Sequence, residues 1–312
     1  MAAVPSMPSL PRFFTGVNVY DLAHSEIFEC NSPVDDPAVY LDKTLGALRT
    51  NRVEVVRFWA SEAYAWGSGG ARDWSALDRV FAKALQYGIY LIPTLAQQTD
   101  ACDPEVGVDS VSWAREFAGR YGTHPTLLAV DVVNEPLSPG YCPDPEDDGC
   151  LLNEYQPLYA GLRDRIDAVK TGTAQPVFYG NTNTGQPGFE RPLNTQAMVY
   201  AGSQIASLHE YAWGVAGVPG PCTGIYAGSP CFAIQDAKAM PVRLIVEELG
   251  NNSGVNNCDN ASNASRLRSK LTAYRDAGVW GVVFWQFNVY RTSGCSEEIG
   301  PNGRMIKVFR DF

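Results

Sequence analysis

Two glutamates, more than a hundred residues apart, each stand at the end of an apolar run of β type. Glu135 follows the run 127–133, and Glu248 follows the run 242–247. A fold that carries both side chains to one face presents paired carboxyl groups, which can supply an acid/base and a nucleophile for cleaving a glycosidic bond. The pair therefore indicates glycosidic hydrolysis as the chemistry that this chain is equipped to perform.

A third carboxylate, Glu247, directly precedes Glu248 and is the residue most easily confused with it. Successive side chains of a β-strand point to opposite faces of the sheet. We therefore expect Glu247 and Glu248 to point to opposite sides of their strand, so that only Glu248 faces Glu135.

Strand-like and helix-like segments alternate along the chain. The strand candidates are residues 15–20, 53–59, 89–96, 127–133, 177–181, 205–211, 244–248 and 279–287. Apolar stripes at spacings of three and four predict helices, most clearly at 77–85 and also at 41–48, 158–169 and 264–274. The glycines that follow helix candidates, where left-handed C-terminal caps are expected, are Gly88, Gly122, Gly172 and Gly278.

The order of these elements predicts the fold class. Continuous apolar strands such as 244–246 and 282–284 are typical of a parallel sheet covered on both faces, and strand–helix alternation repeated about eight times favours a closed barrel. A doubly wound open sheet is the competing arrangement, but the segment 18–22 is not the glycine-rich phosphate turn of a nucleotide-binding fold. We predict an α/β fold, a single (β/α)8 TIM barrel in one domain over residues 1–312, with 1–12 as an N-terminal extension.

Composition and charge disfavour several classes of partner. The formal net charge is -10, whereas nucleic-acid binding rests on Lys and Arg neutralising phosphates, so we expect no nucleic-acid partner. No apolar stretch approaches the roughly 20 residues of a membrane span. With three histidines and no C-x-x-C pair, we expect no metal and no cofactor. The chain shows no repeats or oligomeric patterning, and we expect a monomer.

The cysteines favour disulfides and an oxidising compartment. We expect the eight to form four disulfides that staple loops on the catalytic face. Cys142–Cys150 and Cys222–Cys231 are close in sequence, Cys30–Cys102 and Cys258–Cys295 would then be the other two pairs, and the sequence leaves the connectivity open. Reduced thiols in a cytosolic protein are the alternative. The first eight residues lack the basic and apolar regions of a signal peptide, so we expect the mature chain of a secreted protein.

In a barrel of this kind the active site lies where the C-terminal ends of the strands meet their loops. The polar and aromatic residues at the ends of the predicted strands are Asn18, Tyr20, Arg57, Trp59, Gln97, Asn134, Glu135, Asn181, Asn183, His209, Tyr211, Glu248, Trp285 and Gln286. Side chains of these types bind and stack on sugars, which agrees with the chemistry of the two glutamates.

Six short pieces stand in order along the chain, five of them at strand ends. They are Val56-Arg57-Phe58-Trp59, Tyr121-Gly122-Thr123-His124-Pro125, Asn134-Glu135-Pro136, His209-Glu210-Tyr211, Glu248-Leu249-Gly250 and Phe284-Trp285-Gln286. Together they resemble glycoside hydrolase family 5, whose members are retaining barrel enzymes. The resemblance implies that Glu135 is the general acid/base and Glu248 the nucleophile, and the Glu-aliphatic-Gly ending selects Glu248 over Glu247.

The same division of roles has a physical basis. The nucleophile must be ionised, and Arg57 together with the Tyr211 hydroxyl can hold Glu248 as a carboxylate. The acid must keep its proton, and we expect partial burial beside a second carboxylate to raise the pKa of Glu135. We expect the carboxyl groups to lie about 5 Å apart, as in retaining enzymes, rather than the roughly 6.5 to 9.5 Å of an inverting pair.

The resemblance also implies contacts with the sugar. Asn134 would bind the 2-hydroxyl, His209 would bind hydroxyls of the same sugar, and Trp285 would be the flat platform at the cleavage site. The looser candidates for flanking subsites and support are Trp59, Trp66, Trp213 and Gln97.

The substrate class follows from two of the pieces. Residues 56–59 and 209–214 look most like the mannanase branch, so we favour endo-acting cleavage of β-1,4-mannan or glucomannan, with a β-1,4- or β-1,3-glucan as the alternative. Two positions depart from the family pattern. Asp131 on the fourth strand stands where Trp is common, and Gln97 ends the third strand where many members place histidine.

Plainer interpretations stay open. The two glutamates can be surface carboxylates at strand ends, Arg57 can belong to a structural ion pair, and His209 and Trp285 can be core residues. A non-catalytic carbohydrate-binding barrel would keep the tryptophans but needs neither glutamate. A transglycosidase would use the same covalent intermediate, with a second sugar in place of water.

Overall fold

The computed structural model describes residues 7, 12–23, 36–65, 71–96, 110–135, 160–180, 202–211, 230–239, 242–250, 259–290 and 299–312. Eight parallel strands form its centre. They are β1 (Phe14–Asn18), β2 (Val55–Trp59), β3 (Tyr90–Thr94), β4 (Val130–Asp131), β5 (Val177–Phe178), β6 (Ile205–Glu210), β7 (Arg243–Leu249) and β8 (Gly281–Phe284).

Helices alternate with these strands. They are α1 (Pro37–Thr50), α2 (Ser75–Tyr87), α3 (Ser110–Tyr121), α4 (160–170), α5 (Pro230–Ala239), α6 (Ala261–Ala277) and α7 (Arg304–Val308). Short 3-10 turns occupy Glu62–Ala65 and Phe309–Asp311. Each predicted apolar stripe coincides with one of the helices over the described residues, and the start of the stripe 158–169 lies outside them.

The strands curl into a nearly closed barrel. Their hydrogen-bonded order is β5-β4-β3-β2-β1-β8-β7-β6. The two ends of this order meet where the N–H of Gln204 donates to the carbonyl of Val177 (3.0 Å) and the hydroxyl of Ser207 donates to the carbonyl of Tyr179 (2.8 Å). The predicted (β/α)8 barrel is therefore confirmed.

Seven of the strands are shorter than the sequence predicted, whereas β7 is longer by two residues. The shortening of β4 matters most for the site. This strand was expected over 127–133 but is regular over two residues. It pairs with β3 only between Asp131 and Thr94, while Leu127 forms an isolated bridge to Leu91. A short β4 ladder leaves the following residues, including Glu135, outside the regular sheet.

Side chains alternate between two apolar layers along each strand. The layer inside the barrel comprises Phe14, Val55, Ile92, Leu128, Ala129, Phe178, Ile205, Ile245 and Val283. The larger layer lies between the strands and the helices and includes Val56 and Phe58. Because Val55 points inward and Val56 and Phe58 point outward, Arg57 points into the barrel, above the inner apolar layer.

Local sequence sets the ends of several helices. The carboxylate of Asp36 accepts hydrogen bonds from the N–H groups of Ala38 and Val39 and so caps the start of α1. The α2 and α6 helices end at Gly88 and Gly278, whose φ angles of 66° and 84° are left-handed. Both of these predicted caps are confirmed.

Gly122 and Gly172 serve a different purpose from the predicted one. Neither is among the residues with positive φ, so the expectation of left-handed caps is wrong there. A Cβ on Gly122 would lie 2.1 Å from the carbonyl oxygen of Gly172, and a Cβ on Gly172 would lie 2.7 Å from the backbone of Ala118. The two glycines are required because the turns after α3 and α4 approach each other closely.

Two sequence-based expectations receive a limited test. Cys231 in α5 is disulfide-bonded, but the other cysteines lie outside the described residues, so the predicted pairings stay predictions. Within the described ranges, the helices are too short or too polar to cross a bilayer.

Candidate active site

Charged side chains gather above the inner apolar layer, toward the C-terminal ends of the strands. Arg57 comes from β2, Asp131 from β4, His209 from β6, and Glu247 and Glu248 from β7. All five are buried. Burying so many ionisable groups costs free energy unless their charges compensate one another. The contacts among them therefore decide what the cluster can do.

Arg57 is the centre of this cluster. Its Nη1 lies 2.7 Å from Oε1 of Glu248, its Nη2 2.9 Å from Oδ2 of Asp131, and its Nε 2.6 Å from Oε1 of Glu247. Burial alone would lower the pKa of the guanidinium, but the charges of Glu247, Asp131 and Glu248 raise it above its ordinary value. Arg57 is therefore a permanent buried cation that fixes three carboxyl groups.

Two asparagines complete the surroundings of Arg57. Its Nη2 donates to Oδ1 of Asn134 (2.6 Å), and its Nη1 donates to Oδ1 of Asn18 (3.0 Å). The amide nitrogen of Asn18 donates to the backbone carbonyl of Glu247 at 3.0 Å. These bonds fix the orientation of both amides, and the NH2 group of Asn134 points away from the guanidinium.

Glu248 accepts hydrogen bonds at both of its carboxylate oxygens. Oε1 accepts from Arg57, and Oε2 accepts a short hydrogen bond from the hydroxyl of Tyr211. Burial of the phenol, followed by the charge of Glu248, raises the pKa of Tyr211 above its ordinary value. The hydroxyl thus keeps its proton and acts as a donor, and Glu248 is held as an acceptor-only carboxylate.

Glu135 lies just beyond β4 and is more open to solvent. Its side chain is 35% exposed, and its Oε1 lies 2.6 Å from Nδ1 of His209. Its φ angle of 45° is in the left-handed region, which is uncommon for a residue other than glycine and recurs at functional sites. The N–H of Glu135 donates to the carbonyl of Gly180 at 2.9 Å, which helps to hold this conformation.

The structure brings the two predicted catalytic glutamates together. A carboxylate oxygen of Glu135, a ring nitrogen of His209 and a carboxylate oxygen of Glu248 all lie within 4.8 Å of one another. This separation is close to the roughly 5 to 5.5 Å of retaining glycosidases and well below the range of inverting ones. Two carboxylates on one side of a barrel mouth can therefore reach the same glycosidic bond.

The same three groups are of types that bind metal ions, so a metal centre is the competing interpretation. Within the described residues, however, Glu248 already has the guanidinium of Arg57 at 2.7 Å. The raised pKa of His209, about 10, means that its ring is cationic rather than a neutral ligand. Two cations already balance these carboxylates, which disfavours a divalent ion.

The proton near Glu135 resides on His209. Burial alone would lower the pKa of the imidazole, but the charge of Glu248 and the interactions with Glu135 and Glu247 raise it to about 10. Burial alone would raise the pKa of Glu135, but the hydrogen bond and charge of His209 lower it below its ordinary value. The expectation of a raised pKa for Glu135 is therefore wrong, because sequence reasoning did not foresee a cation at 2.6 Å.

Glu247 also departs from its predicted position. Leu208 pairs with Val246 but His209 pairs with Glu248, so β7 contains one extra residue relative to β6. The register with β8 shifts over the same stretch of β7. This β-bulge breaks the alternation, and both Glu247 and Glu248 point into the barrel toward Arg57. The prediction that they point to opposite sides is wrong for this reason.

Aromatic rings form a wall beside the end of β7. The ring of Trp285 stacks on Tyr20 with centroids 6.3 Å apart, and the backbone N–H of Trp285 donates to the carbonyl of Leu249 at 2.9 Å. Trp285 and Tyr20 are partly exposed, whereas Trp59 is buried between Trp285 and Arg57. Trp285 therefore offers a face to the cleft, and Trp59 supports it from below.

Gly250 is required where this wall meets the catalytic cluster. A Cβ at this position would lie 2.5 Å from the ring of Tyr211 and 3.4 Å from Cβ of Trp285. The absence of a side chain lets Tyr211 approach Glu248 and lets Trp285 lie against the end of β7. The Glu-Leu-Gly ending thus has a packing reason for its glycine.

Some predicted site residues cannot be placed, and others were missed. Gln97, Trp66 and Trp213 lie outside the described residues. Asp131 was noted only as a departure from the family pattern, yet it accepts from Arg57 and from the Thr94 hydroxyl at 2.9 Å each. A single acidic residue inside the apolar run 127–133 was the signal that could have identified it.

Comparisons with known proteins establish the fold. No protein-family model and no curated protein sequence matches the chain. The solved structure of the endo-β-1,4-mannanase from Thermotoga petrophila has 17% sequence identity and a TM-score of 0.66, covering 98% of this chain and 77% of that one.

Two further solved structures are similar over nearly the whole chain. The endo-1,4-β-mannanase from Rhizomucor miehei has 15% identity and a TM-score of 0.67, covering 99% of this chain and 98% of that one. An endoglucanase from Pseudomonas stutzeri has 15% identity and a TM-score of 0.60, covering 96% and 93%. At these identities the similarity concerns the barrel, and the chemistry is argued from the site itself.

Proposed function

We propose that this protein is a retaining β-glycoside hydrolase of the family 5 type, with Glu248 as nucleophile and Glu135 as general acid/base. The observation that carries the proposal is the approach of the two carboxylates to within 4.8 Å in different surroundings. Glu248 is buried between Arg57 and Tyr211, whereas Glu135 is partly exposed and hydrogen-bonded to protonated His209. One group is arranged to attack and the other to exchange a proton with solvent or substrate.

In the first step, an oxygen of Glu248 attacks the anomeric carbon while the bond to the leaving oxygen breaks. Glu135 delivers a proton to the leaving oxygen and takes one from Nδ1 of His209, 2.6 Å away. As the ester forms, Glu248 loses the charge that contributes most to raising the pKa of His209. Nucleophilic attack therefore lowers the pKa of His209 in the same step in which the leaving oxygen must be protonated.

In the second step, Glu135 accepts a proton from water as the water oxygen attacks the anomeric carbon, and it then returns a proton to Nδ1 of His209, which gave one up in the first step. The carbon–oxygen bond to Glu248 breaks, and Glu248 returns to its carboxylate form between Arg57 and Tyr211. Two inversions at the same carbon leave the anomeric configuration unchanged.

The remaining residues support sugar binding. The NH2 group of Asn134, fixed by the bond from Arg57 to its Oδ1, is the donor that we assign to the 2-hydroxyl. Trp285 is the platform for the sugar ring. Both ring nitrogens of His209 face carboxylates, so we assign its main effect to Glu135 rather than to the sugar. Gln97, Trp59 and Trp213 keep their proposed roles in support and flanking subsites.

The substrate that we favour is β-1,4-mannan or glucomannan, cleaved within the chain. Two mannanases share the barrel over nearly all of this chain, and residues 56–59 and 209–214 look most like that branch. An endoglucanase shares the same fold, which keeps a β-glucan as the second candidate. We further propose a single catalytic domain over residues 1–312 that is secreted, stapled by disulfides and monomeric.

The direct test is a panel of β-1,4-mannan, glucomannan, a soluble cellulose derivative and laminarin, with products resolved by size. We expect short oligosaccharides of mixed length from mannan or glucomannan early in the reaction, as internal cleavage produces. The matched control is Glu248→Gln, which removes the nucleophile and keeps the side-chain shape. If the protein binds these polysaccharides but cleaves none of them, it is a carbohydrate-binding barrel instead.

A further inference from the structure

Glu247 is a buried carboxylate that the proposed reaction does not use. It is fully buried, and within the described part of the chain its oxygens make ionic contacts with Arg57 and His209 but no well-aligned hydrogen bond. A buried charged group whose partners are poorly aligned costs free energy and calls for an explanation. The side chain of Glu247 faces the barrel interior only because of the bulge in β7. Without the bulge, Glu247 and Glu248 would point to opposite sides of the strand.

The contacts of Glu247 are ionic, and they link two cations. Its Oε1 lies 2.6 Å from Nε of Arg57, and its Oε2 lies 3.7 Å from Nε2 of His209. The opposite sides of the same cations face the proposed catalytic groups. Nη1 of Arg57 lies 2.7 Å from Glu248, and Nδ1 of His209 lies 2.6 Å from Glu135. Glu247 thus stands behind both halves of the catalytic pair.

We propose that Glu247 is a positioning residue that holds His209 as the doubly protonated imidazolium, with Nδ1 aimed at Glu135. The inference deepens the proposed function, since it rests on Glu135 being the group that exchanges the catalytic proton. A negative charge behind Nε2 keeps a proton on that nitrogen. Nδ1 must then carry the proton that is donated to Glu135, because an imidazolium donates from both nitrogens.

The other carboxylates around His209 also favour its protonated form, but they approach Nδ1, and only Glu247 among the described carboxylates stands behind Nε2. His209 faces Glu135 and Glu248 at Nδ1 and Glu247 at Nε2. Glu247 also faces Arg57 and Asp131. Burial, then the charge of Glu247, raises the pKa of Asp131 to about 8, and its hydrogen bonds run to Arg57 and Thr94 rather than to His209. Burial alone would raise the pKa of Glu247, but Arg57 and His209 lower it to about 2. Glu247 therefore carries the negative charge behind the imidazole ring.

The ring nitrogens of His209 report this arrangement directly. The chain contains three histidines, so the ¹⁵N signals of His209 can be assigned after substituting the other two. In the wild type we expect both nitrogens to stay protonated through neutral pH. In Glu247→Gln we expect the titration to move down by about 1 to 3 pH units, the effect of removing an opposite charge at short range. Glu247→Asp keeps the charge and should keep the high titration.

Glu210→Gln is the matched control. Glu210 is also buried and precedes Tyr211 on β6, but it faces outward, where both of its oxygens pair with Lys270 at 2.9 and 3.0 Å. The same chemical change there should leave the His209 titration in place. An unchanged titration in Glu247→Gln, or an equal shift in Glu210→Gln, overturns the inference. If Glu247→Gln does not fold, the wild type alone still decides, since a neutral His209 at pH 7 also overturns it.

Kinetics separate this inference from the proposed function. In Glu247→Gln, the alkaline limb of kcat/KM should move to lower pH together with the His209 titration, and Glu247→Asp should restore it. An active wild type with an unmoved limb and titration in Glu247→Gln refutes the role of Glu247 alone. A wild type that cleaves no glycoside, but whose His209 titration responds to Glu247→Gln, refutes the proposed function and leaves the electrostatic role of Glu247 standing.

Discussion

Nδ1 of His209 lies 2.6 Å from Oε1 of Glu135, and the imidazole holds the proton that this pair needs for acid catalysis. A general acid works best when its proton is retained near the working pH. Many enzymes achieve this by raising the pKa of a carboxyl group. In the proposed mechanism the proton is kept on a neighbouring ring, and Glu135 receives it from there.

Replacing Glu135 should slow the reaction according to the leaving group. We expect Glu135→Gln to lower kcat on a polysaccharide by about 10² to 10⁴-fold, the usual contribution of acid/base catalysis. On an aryl glycoside with an acidic phenol, the first step should be nearly unaffected, because that leaving group needs no proton. Values of kcat/KM on both substrates, which report the first step alone, measure the difference, and equal losses on the two would count against Glu135 as the acid.

Removing the Tyr211 hydroxyl should slow the reaction without abolishing it, because Arg57 still donates a hydrogen bond to Glu248. Tyr211→Phe deletes one of the two donors to this carboxylate. Hydrogen bonds to charged groups contribute about 1.5 to 3 kcal/mol, so we expect kcat to fall roughly 10- to 100-fold while KM changes little. Tyr90→Phe is the control, because the partly buried Tyr90 lies at the start of β3 and packs against the inner apolar layer, away from Glu248. A Tyr211→Phe enzyme with wild-type kcat would exclude a role for this hydroxyl.

Stability should decrease at alkaline pH because of His209. Its pKa in the folded protein, about 10, lies above the ordinary 6.5, so the folded state binds this proton more tightly than the unfolded state. The stabilising contribution is complete below pH 6.5 and is lost as the pH rises through 10. We expect urea midpoints to fall over this range in the wild type and to fall less steeply in His209→Asn.

Two other groups sharpen this measurement. Burial raises the pKa of Asp131 to about 8, which destabilises the fold in the same direction, so His209→Asn should remove only part of the alkaline loss. Burial lowers the pKa of His124, and His124→Asn should therefore leave the alkaline slope as it is. Identical slopes for His209→Asn and the wild type would refute the raised pKa of His209.

The buried ion pair between Lys270 and Glu210, on the outer side of the strands, should contribute to the free energy of unfolding. Lys270 pairs with Glu210, which also accepts from the hydroxyl of Tyr274 at 2.9 Å. Lys270→Met leaves a buried carboxylate without its cation, which costs about 3 to 5 kcal/mol of unfolding free energy. Lys83→Met, which breaks an exposed pair with Asp42, should cost far less, because solvent screens that pair. Similar unfolding free energies for the two variants would contradict this account of the pair.

The barrel and the meeting of the two glutamates were predictable from the sequence, because both follow from simple periodicities. Apolar runs separated by amphipathic helices predict parallel strands, and residues that end parallel strands share one face. Glu135 and Glu248 stand at such ends, which is why their approach could be anticipated without any contact information.

The electrostatics of the site were not predictable in the same way. The rule that side chains alternate assumes an unbroken strand, and one extra residue in β7 turns Glu247 toward Arg57. The pKa of Glu135 depends on a histidine that is distant in sequence, so its direction was predicted wrongly. Similarly, Gly122 must be glycine because a side chain there would clash with the backbone of Gly172, fifty residues away. The local sequence around Gly122 does not indicate this contact.

Trapping the glycosyl-enzyme tests the central claim most directly. A 2-deoxy-2-fluoro glycosyl fluoride of the preferred sugar slows both steps, and its good leaving group lets the covalent ester accumulate. Peptide mass spectrometry then locates the label in a chain where Glu247 and Glu248 both face the cluster. We predict a label of one sugar per chain on Glu248. A label on Glu247 or Glu135, or an active enzyme that forms no adduct and inverts its product, would contradict the account.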